Sequence, residues 1–174
     1  MDKNRRMIII TGILILVMMV IIFIFSTQNV NTSDSLSGSI TRIIMKLMKA
    51  IQKLFPNQGG SDIPYDPNYS FFDDLNHYVR KLAHITEFAL LGASVTGHIF
   101  ACLKRKEGRF NVIKGLMCLV IGFLYACTDE LHQLFVEGRG AQFKDVLIDT
   151  FGVLMGITIV YVIDDYVNKR KTKS

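Results

Sequence analysis

Ionisable side chains gather at three places in the sequence, each bordering or entering a strongly apolar stretch. Arg80, His84 and Glu87 are spaced i, i+4 and i+7, so a helix carries all three on one face. Charged groups within membrane helices are costly and usually face a bundle interior or a wet cavity. A histidine or carboxylate in such surroundings is suited to proton transfer, which makes His84 and Glu130 candidates for a general base.

The other two places add further acidic groups. The segment Asp129–Gln133 carries two carboxylates, a histidine and an amide, with Asp129 and His132 on one helical face. Asp145 and Asp149 lie one turn apart, and the face that they begin continues into a GxxxG step at 152–156, which allows a neighbouring backbone to approach closely. The candidate catalytic residues are His84, Glu87, Asp129, Glu130, His132 and Asp149.

Arginine and amide side chains next to these acids are suited to binding an anionic group. A guanidinium binds phosphate through two parallel hydrogen bonds, and hydroxyl and amide groups complete such sites. The candidate ligand-binding residues are Arg80, Gln133, Arg139, Asp145, Ser26 and Gln28. A metal site would use nitrogen and oxygen ligands from the set His84, Glu87, Asp129, His132 and Asp149. The spacing His84-x-x-Glu87 is too common to define such a site, so metal and cofactor stay open at the sequence level.

The chain that must position these residues has 174 residues, of which 50% are hydrophobic, with a formal net charge of +5 and a mean hydropathy of +0.33. Its apolar residues form long blocks, which excludes a disordered polymer, a disulfide scaffold and an ordinary soluble domain. Four blocks are long enough to cross a bilayer, at about 7–25, 83–103, 112–128 and 146–163. We predict an all-α membrane protein that forms one domain over 1–174.

A further helix is predicted at about 39–55, between the first and second spans. Isoleucine and leucine recur there at helical spacing, and basic residues occupy the opposite arc. The pattern fits a helix lying in the outer membrane interface, with its cations near anionic headgroups. It fits equally a helix packed across the top of the bundle.

Basic residues flanking the spans predict the orientation, because such residues resist translocation. They cluster at 3–6, 104–109 and 169–173, and four spans with both termini in the cytoplasm place all three clusters on one side. The polar residues then lie toward the exterior, and we expect them to line a polar cavity open on that side. The basic tail lacks the aromatic interleaving and the fold of a nucleic-acid binder, so no nucleic-acid partner is predicted.

The same residues carry a resemblance to the VanZ-like family. It rests on four motif regions in order: Phe25–Gln28, Arg80–Phe88, Asp129–Gln133, and Gly138–Arg139 leading to Asp145–Val146 and Asp149–Gly152. The resemblance implies a small multi-pass protein of the bacterial cell membrane, with a role in the cell envelope. Some relatives are associated with resistance to the glycopeptide teicoplanin. It implies no settled reaction.

Several functions are compatible with this pattern. One is an envelope enzyme acting on a lipid-linked or anionic headgroup, and another is a non-catalytic protein that binds or shields a lipid or a cell-wall precursor. Ion or proton transport is less favoured, because it needs a polar route through the whole membrane and the inner half offers almost none. The charges could also be ion pairs that only hold the helices together. The bilayer is the one partner that the sequence predicts, and the oligomeric state is open.

Overall fold

The computed structural model describes residues 2–28, 30–54, 70–103 and 112–171. These described residues form five helices and no strand: α1 Lys3–Ser26, α2 Val30–Leu54, α3 Ser70–Cys102, α4 Val112–Gln133 and α5 Phe143–Lys171. Four of them, α1, α3, α4 and α5, are long and apolar enough to cross a membrane. The prediction of an all-α protein with four membrane spans and one additional amphipathic helix is confirmed.

The helices extend beyond the limits predicted from hydropathy. Helix α3 begins at Ser70 and is 33 residues long. An amphipathic segment with Asp73 in its first turn precedes the apolar span and belongs to the same helix. Helix α4 runs on to Gln133, so the acidic motif is part of the helix. Helix α2 begins at Val30, well before the predicted start. Phe55 and the basic link 104–109 lie outside the described residues.

Helices α3 and α5 form the central pair, and glycines set their separation. A Cβ atom on Gly152 would lie 2.6 Å from the carbonyl oxygen of Ile85, and one on Gly156 would overlap the backbone of Ala89. On the other helix, a Cβ on Gly92 would meet the Val153 carbonyl oxygen at 2.5 Å. The close backbone approach predicted for the GxxxG step is therefore present.

Helices α1 and α4 pack around this pair. The buried core takes Met18 and Ile22 from α1 and Cys118 and Ala126 from α4. The hydroxyl group of Tyr125 donates to the Met19 carbonyl oxygen at 2.7 Å and joins the two helices. The four apolar helices thus form a bundle whose outer surface is largely hydrophobic, as contact with lipid requires.

Helix α2 packs on α3 through small and polar residues rather than through its apolar stripe. Its Thr41 is fully buried, and the Thr41 hydroxyl lies 3.2 Å from the Asn76 amide oxygen of α3. Gly38 lies against the Phe72 ring. The stripe formed by Ile40, Ile43, Leu47 and Ile51 is more than half exposed at every position. Packing on the bundle therefore does not account for the stripe.

Candidate functional site

Three helices each contribute one buried or half-buried ionisable group to a common cluster. His84 from α3, Asp129 from α4 and Asp149 from α5 each offer a nitrogen or oxygen atom, and these atoms all lie within 4.8 Å of one another. The Nδ1 atom of His84 is 3.6 Å from Oδ1 of Asp149. Asp149 is 1% exposed and Asp129 is 4% exposed. We refer to these three residues as the His–Asp–Asp cluster.

The glycine contact explains why the cluster forms. Gly152 lies three residues after Asp149 in α5 and packs against the backbone of Ile85, the residue that follows His84 in α3. This contact fixes the two helices in register, so the histidine and the carboxylate meet directly beside it. The packing motif and the polar cluster are thus parts of one helix–helix contact.

The two carboxylates of the cluster differ in their hydrogen bonding. The Nε2 group of Gln133 donates to Oδ2 of Asp129 at 3.1 Å. The Oδ2 atom of Asp149 has no hydrogen-bond partner among the described residues. A buried carboxylate oxygen without a partner is costly, so Asp149 has the capacity to bind something further.

Glu130 stabilises the connection between α4 and α5 through a hydrogen bond. Its Oε2 atom accepts a hydrogen bond of 2.8 Å from the backbone N–H of Gln142, while its Oε1 atom is buried without a partner among the described residues. In the same connection, Gly138 has φ 77°, a left-handed conformation that favours glycine. The turn at Gly138 brings Arg139 back over the helix ends.

An ion pair between Lys81 of α3 and Asp145 of α5 flanks the cluster. The side chains are 20% and 23% exposed, so both remain in contact with solvent. Lys81 was not among the predicted site residues, although it lies three positions before His84 and therefore on the same helical face. That spacing was the available signal.

Two adjoining cavities open beside the cluster. One, of about 260 Å³, is lined mainly by polar groups that include Arg80, Lys81, His84, Gln133, Arg139 and Asp145. The other, of about 190 Å³, lies among α1, α2 and α3 and is lined by residues that include Phe25, Gln28, Ile40, Val79, Ala83 and Glu87. We call them the polar cavity and the apolar cavity. Arg80, His84 and Arg139 line both, so these three residues form the boundary between them.

Three of the predicted catalytic residues, Glu87, Glu130 and His132, lie outside the His–Asp–Asp cluster. The His132 ring stacks on Phe23 of α1 with 4.6 Å between ring centroids, and its Nε2 atom has no hydrogen-bond partner among the described residues. Glu87 lines the apolar cavity. Of the predicted ligand-binding residues, five line a cavity: Gln28, Arg80, Gln133, Arg139 and Asp145. Ser26 is buried at the end of α1, and Glu130 bonds to the backbone of Gln142. The roles assigned to all of these residues stay predictions.

Helix α2 contributes residues to the lining of the apolar cavity, which the sequence did not predict. Ser37 and Ile40 line the apolar cavity, whereas the sequence predicted either an interfacial helix or a helix packed across the bundle, with no part in the site. The signal was present as the small residues Ser37, Gly38 and Thr41, which lie on the helix between the basic arc and the apolar stripe. A face of this kind permits close packing, but its partner helix cannot be read from one sequence.

The fold and the site together define a multi-pass helical membrane protein with a polar cluster built across three of its helices. The family model described as VanZ/LLP1 matches residues 11–164, and the chain belongs to this VanZ-like family. The matched segment includes every residue of the cluster and of both cavities. No curated protein and no solved structure matches the chain significantly.

Proposed function

We propose that this protein binds a membrane lipid with an anionic, phosphate-bearing headgroup, with the headgroup in the polar cavity and the apolar stem in the apolar cavity. The observation that carries the proposal is the meeting of the two cavities at Arg80, His84 and Arg139. A molecule that is charged at one end and apolar at the other matches that arrangement.

The cavity volumes are compatible with the two ends of a lipid. A pocket that encloses a drug-sized molecule usually measures about 300–1,000 Å³. At about 260 Å³ the polar cavity is suited to a headgroup, and at about 190 Å³ the apolar one is suited to the first part of a chain. The rest of the chain would lie in the bilayer, between the apolar helix surfaces.

A catalytic version of this function assigns proton transfer to His84. This residue lines both cavities and lies at the boundary where the bond between headgroup and stem would lie. Glu130 is less well placed for that role, since one of its oxygens already holds the α4–α5 connection. The alternative is a protein that binds or shields a lipid or a cell-wall precursor without turnover.

The proposed setting is the bacterial cytoplasmic membrane, with both termini in the cytoplasm and the cavities on the exterior. An effect on susceptibility to glycopeptides such as teicoplanin follows as a cellular consequence of binding an envelope lipid. In a cysteine-free background, a cysteine at Gly59 should react with an impermeant thiol reagent in whole cells, and one at Lys106 should not. Labelling of Lys106 alone would invert the orientation and place the cavities on the cytoplasmic side.

Lipid binding is tested with the purified full chain in neutral detergent and a fluorescent polyisoprenyl phosphate. We expect saturable binding, with the matching polyisoprenol binding at least about tenfold more weakly because it cannot pair with the guanidinium groups. Arg139→Gln should weaken phosphate binding by a similar factor, whereas Lys46→Gln, on the exposed face of α2, should not. Equal binding of phosphate and alcohol would contradict the proposal.

The same assay distinguishes binding from catalysis. Lipid recovered after incubation is analysed for a changed headgroup. A product that forms with the wild-type chain and not with His84→Ala supports the enzyme, and saturable binding without product supports the binding protein. Fluorescent phosphatidylglycerol in a parallel titration tells whether the phosphate is recognised on a polyisoprenyl or on a glycerol stem.

A further inference from the structure

We propose that the His–Asp–Asp cluster binds one divalent first-row transition cation of the Zn²⁺ or Mn²⁺ type. The inference rests on the geometry of His84, Asp129 and Asp149 and is independent of any lipid in the cavities. It therefore stands or falls separately from the proposed function.

The distances within the cluster suit a metal site. Ligand bonds of about 2.0–2.2 Å place neighbouring ligand atoms of a tetrahedral site about 3.4 Å apart. The observed separation between Nδ1 of His84 and Oδ1 of Asp149 is 3.6 Å, and Asp129 brings an oxygen within 4.8 Å of the other two. The separations therefore lie within about 1.4 Å of those in a tetrahedral site.

The unpartnered oxygen of Asp149 is an independent sign of a ligand. Asp149 is 1% exposed, and its Oδ2 atom has no hydrogen-bond partner among the described residues. A bound cation would accept a lone pair from this oxygen atom, and the two carboxylates of the cluster would balance the charge of the cation.

A hydrogen bond from a neighbouring side chain orients Asp129, as is usual for metal ligands. Gln133 donates a hydrogen bond to its Oδ2 atom, which restrains the orientation of the carboxylate. Such outer contacts orient the ligand and support metal affinity.

Nearby basic residues do not exclude a cation. Arg80, Lys81 and Arg139 lie close enough to His84 to act on it electrostatically, but so does Asp145, and Lys81 is already paired with Asp145. Glu130 also lies within electrostatic range of Asp149 and adds negative charge. The cluster thus combines its own carboxylates with further acidic neighbours.

The ligand types indicate which cation fits. One imidazole nitrogen and two carboxylate oxygens favour Zn²⁺, Mn²⁺ or Fe²⁺, whereas Ca²⁺ and Mg²⁺ prefer oxygen ligands alone. Three protein ligands leave at least one coordination position open. Because His84 also lines the polar cavity, that position would lie next to the space proposed for an anionic headgroup.

The test uses the purified full chain in detergent, stripped with EDTA and dialysed against Zn²⁺ or Mn²⁺ at increasing concentration. We expect one cation per chain by elemental analysis and a melting temperature that rises with cation concentration, because only the folded chain forms the site. Asp149→Asn and His84→Gln should each weaken binding more than about tenfold. Asp165→Asn is the matched control, since it removes a carboxylate of the same helix that pairs with Lys169 far from the cluster and should leave the stoichiometry at one.

Circular dichroism and size-exclusion profiles establish that each variant is folded before it is titrated, and two independent ligand variants protect against one of them failing to fold. Stoichiometric binding that both Asp149→Asn and His84→Gln retain would overturn the site. So would the absence of Zn²⁺ and Mn²⁺ binding at millimolar concentration. Binding of Mg²⁺ or Ca²⁺ alone would overturn the assignment to a transition cation.

Discussion

The contact between α3 and α5 has two parts that follow opposite rules. At Gly92, Gly152 and Gly156 the backbones of α3 and α5 are so close that a Cβ atom would collide with the facing helix. One turn away, Asp149 is buried with an oxygen that has no hydrogen-bond partner among the described residues. The first part is optimised for packing, whereas the second retains a polar group that packing does not require.

That difference indicates where function lies in this molecule. Stability favours the replacement of buried charges by apolar groups, and functional sites keep them at a cost in stability. The glycine contact holds α3 and α5 together. The helices therefore stay packed although the cluster beside the contact contains a carboxylate oxygen without a hydrogen-bond partner. Substitutions in the two parts should therefore have different consequences.

The largest expected effect is at the glycine contact. In Gly156→Leu the new side chain would collide with the backbone of Ala89 and Ala93, which cannot give way without separating the helices. We expect a loss of at least about 3 kcal/mol in the free energy of unfolding, measured as melting temperature and yield of monodisperse protein. Gly97→Ala is the control, since its nearest neighbour would be Thr11 Cγ2 at 3.8 Å. Equal stability of Gly156→Leu and the wild type would contradict the proposed difference between the glycine contact and the polar cluster.

A smaller loss of stability is expected from the ion pair beside the cluster. Lys81→Met leaves the half-buried Asp145 without its cation and should lower the free energy of unfolding by roughly 1–2 kcal/mol, given that water still reaches both side chains. The double variant Lys81→Met with Asp145→Asn should recover most of that loss in thermal unfolding. If the double variant is less stable than the single one, the pair is not a separate structural unit.

The smallest effect concerns the exposed stripe of α2. A peptide of residues 30–54 should gain helicity on anionic vesicles, because the Ile40, Ile43, Leu47 and Ile51 side chains are then buried in lipid. Replacing Lys46 by Gln should weaken binding by about 1 kcal/mol, and added salt should reduce the difference. Circular dichroism and vesicle sedimentation measure both. Helicity that vesicles do not change would argue against an interfacial helix.

Much of the fold was predictable because the bilayer fixes the length of a spanning helix. Four apolar blocks therefore gave four helices, and the Gly152–Gly156 spacing predicted a close contact. The early start of α3 was not predictable from hydropathy, since a helix continues beyond the apolar span wherever its local sequence allows.

For the site, helical spacing showed that Arg80, His84 and Glu87 share a face, but not which of them would meet the acids of other helices. The structure brings only His84 into the cluster with Asp129 and Asp149, and Glu87 faces the apolar cavity. Selecting among residues on one face requires the rotation and register of the neighbouring helices. Those are properties of the packed bundle, and one sequence does not contain them in readable form.

The central claim is that the polar end of the bundle is a working site rather than a lattice of ion pairs. It is tested most directly by measuring two properties of His84→Ala and Asp149→Ala. One is the melting temperature of the purified chain, and the other is the change in glycopeptide susceptibility that we propose the wild-type chain confers on cells. We predict that each variant loses this change while its melting temperature stays within about 3 °C of the wild type, which corresponds to less than about 1 kcal/mol. A loss of function in proportion to lost stability, with charge-swapped double variants restoring both, would contradict the claim.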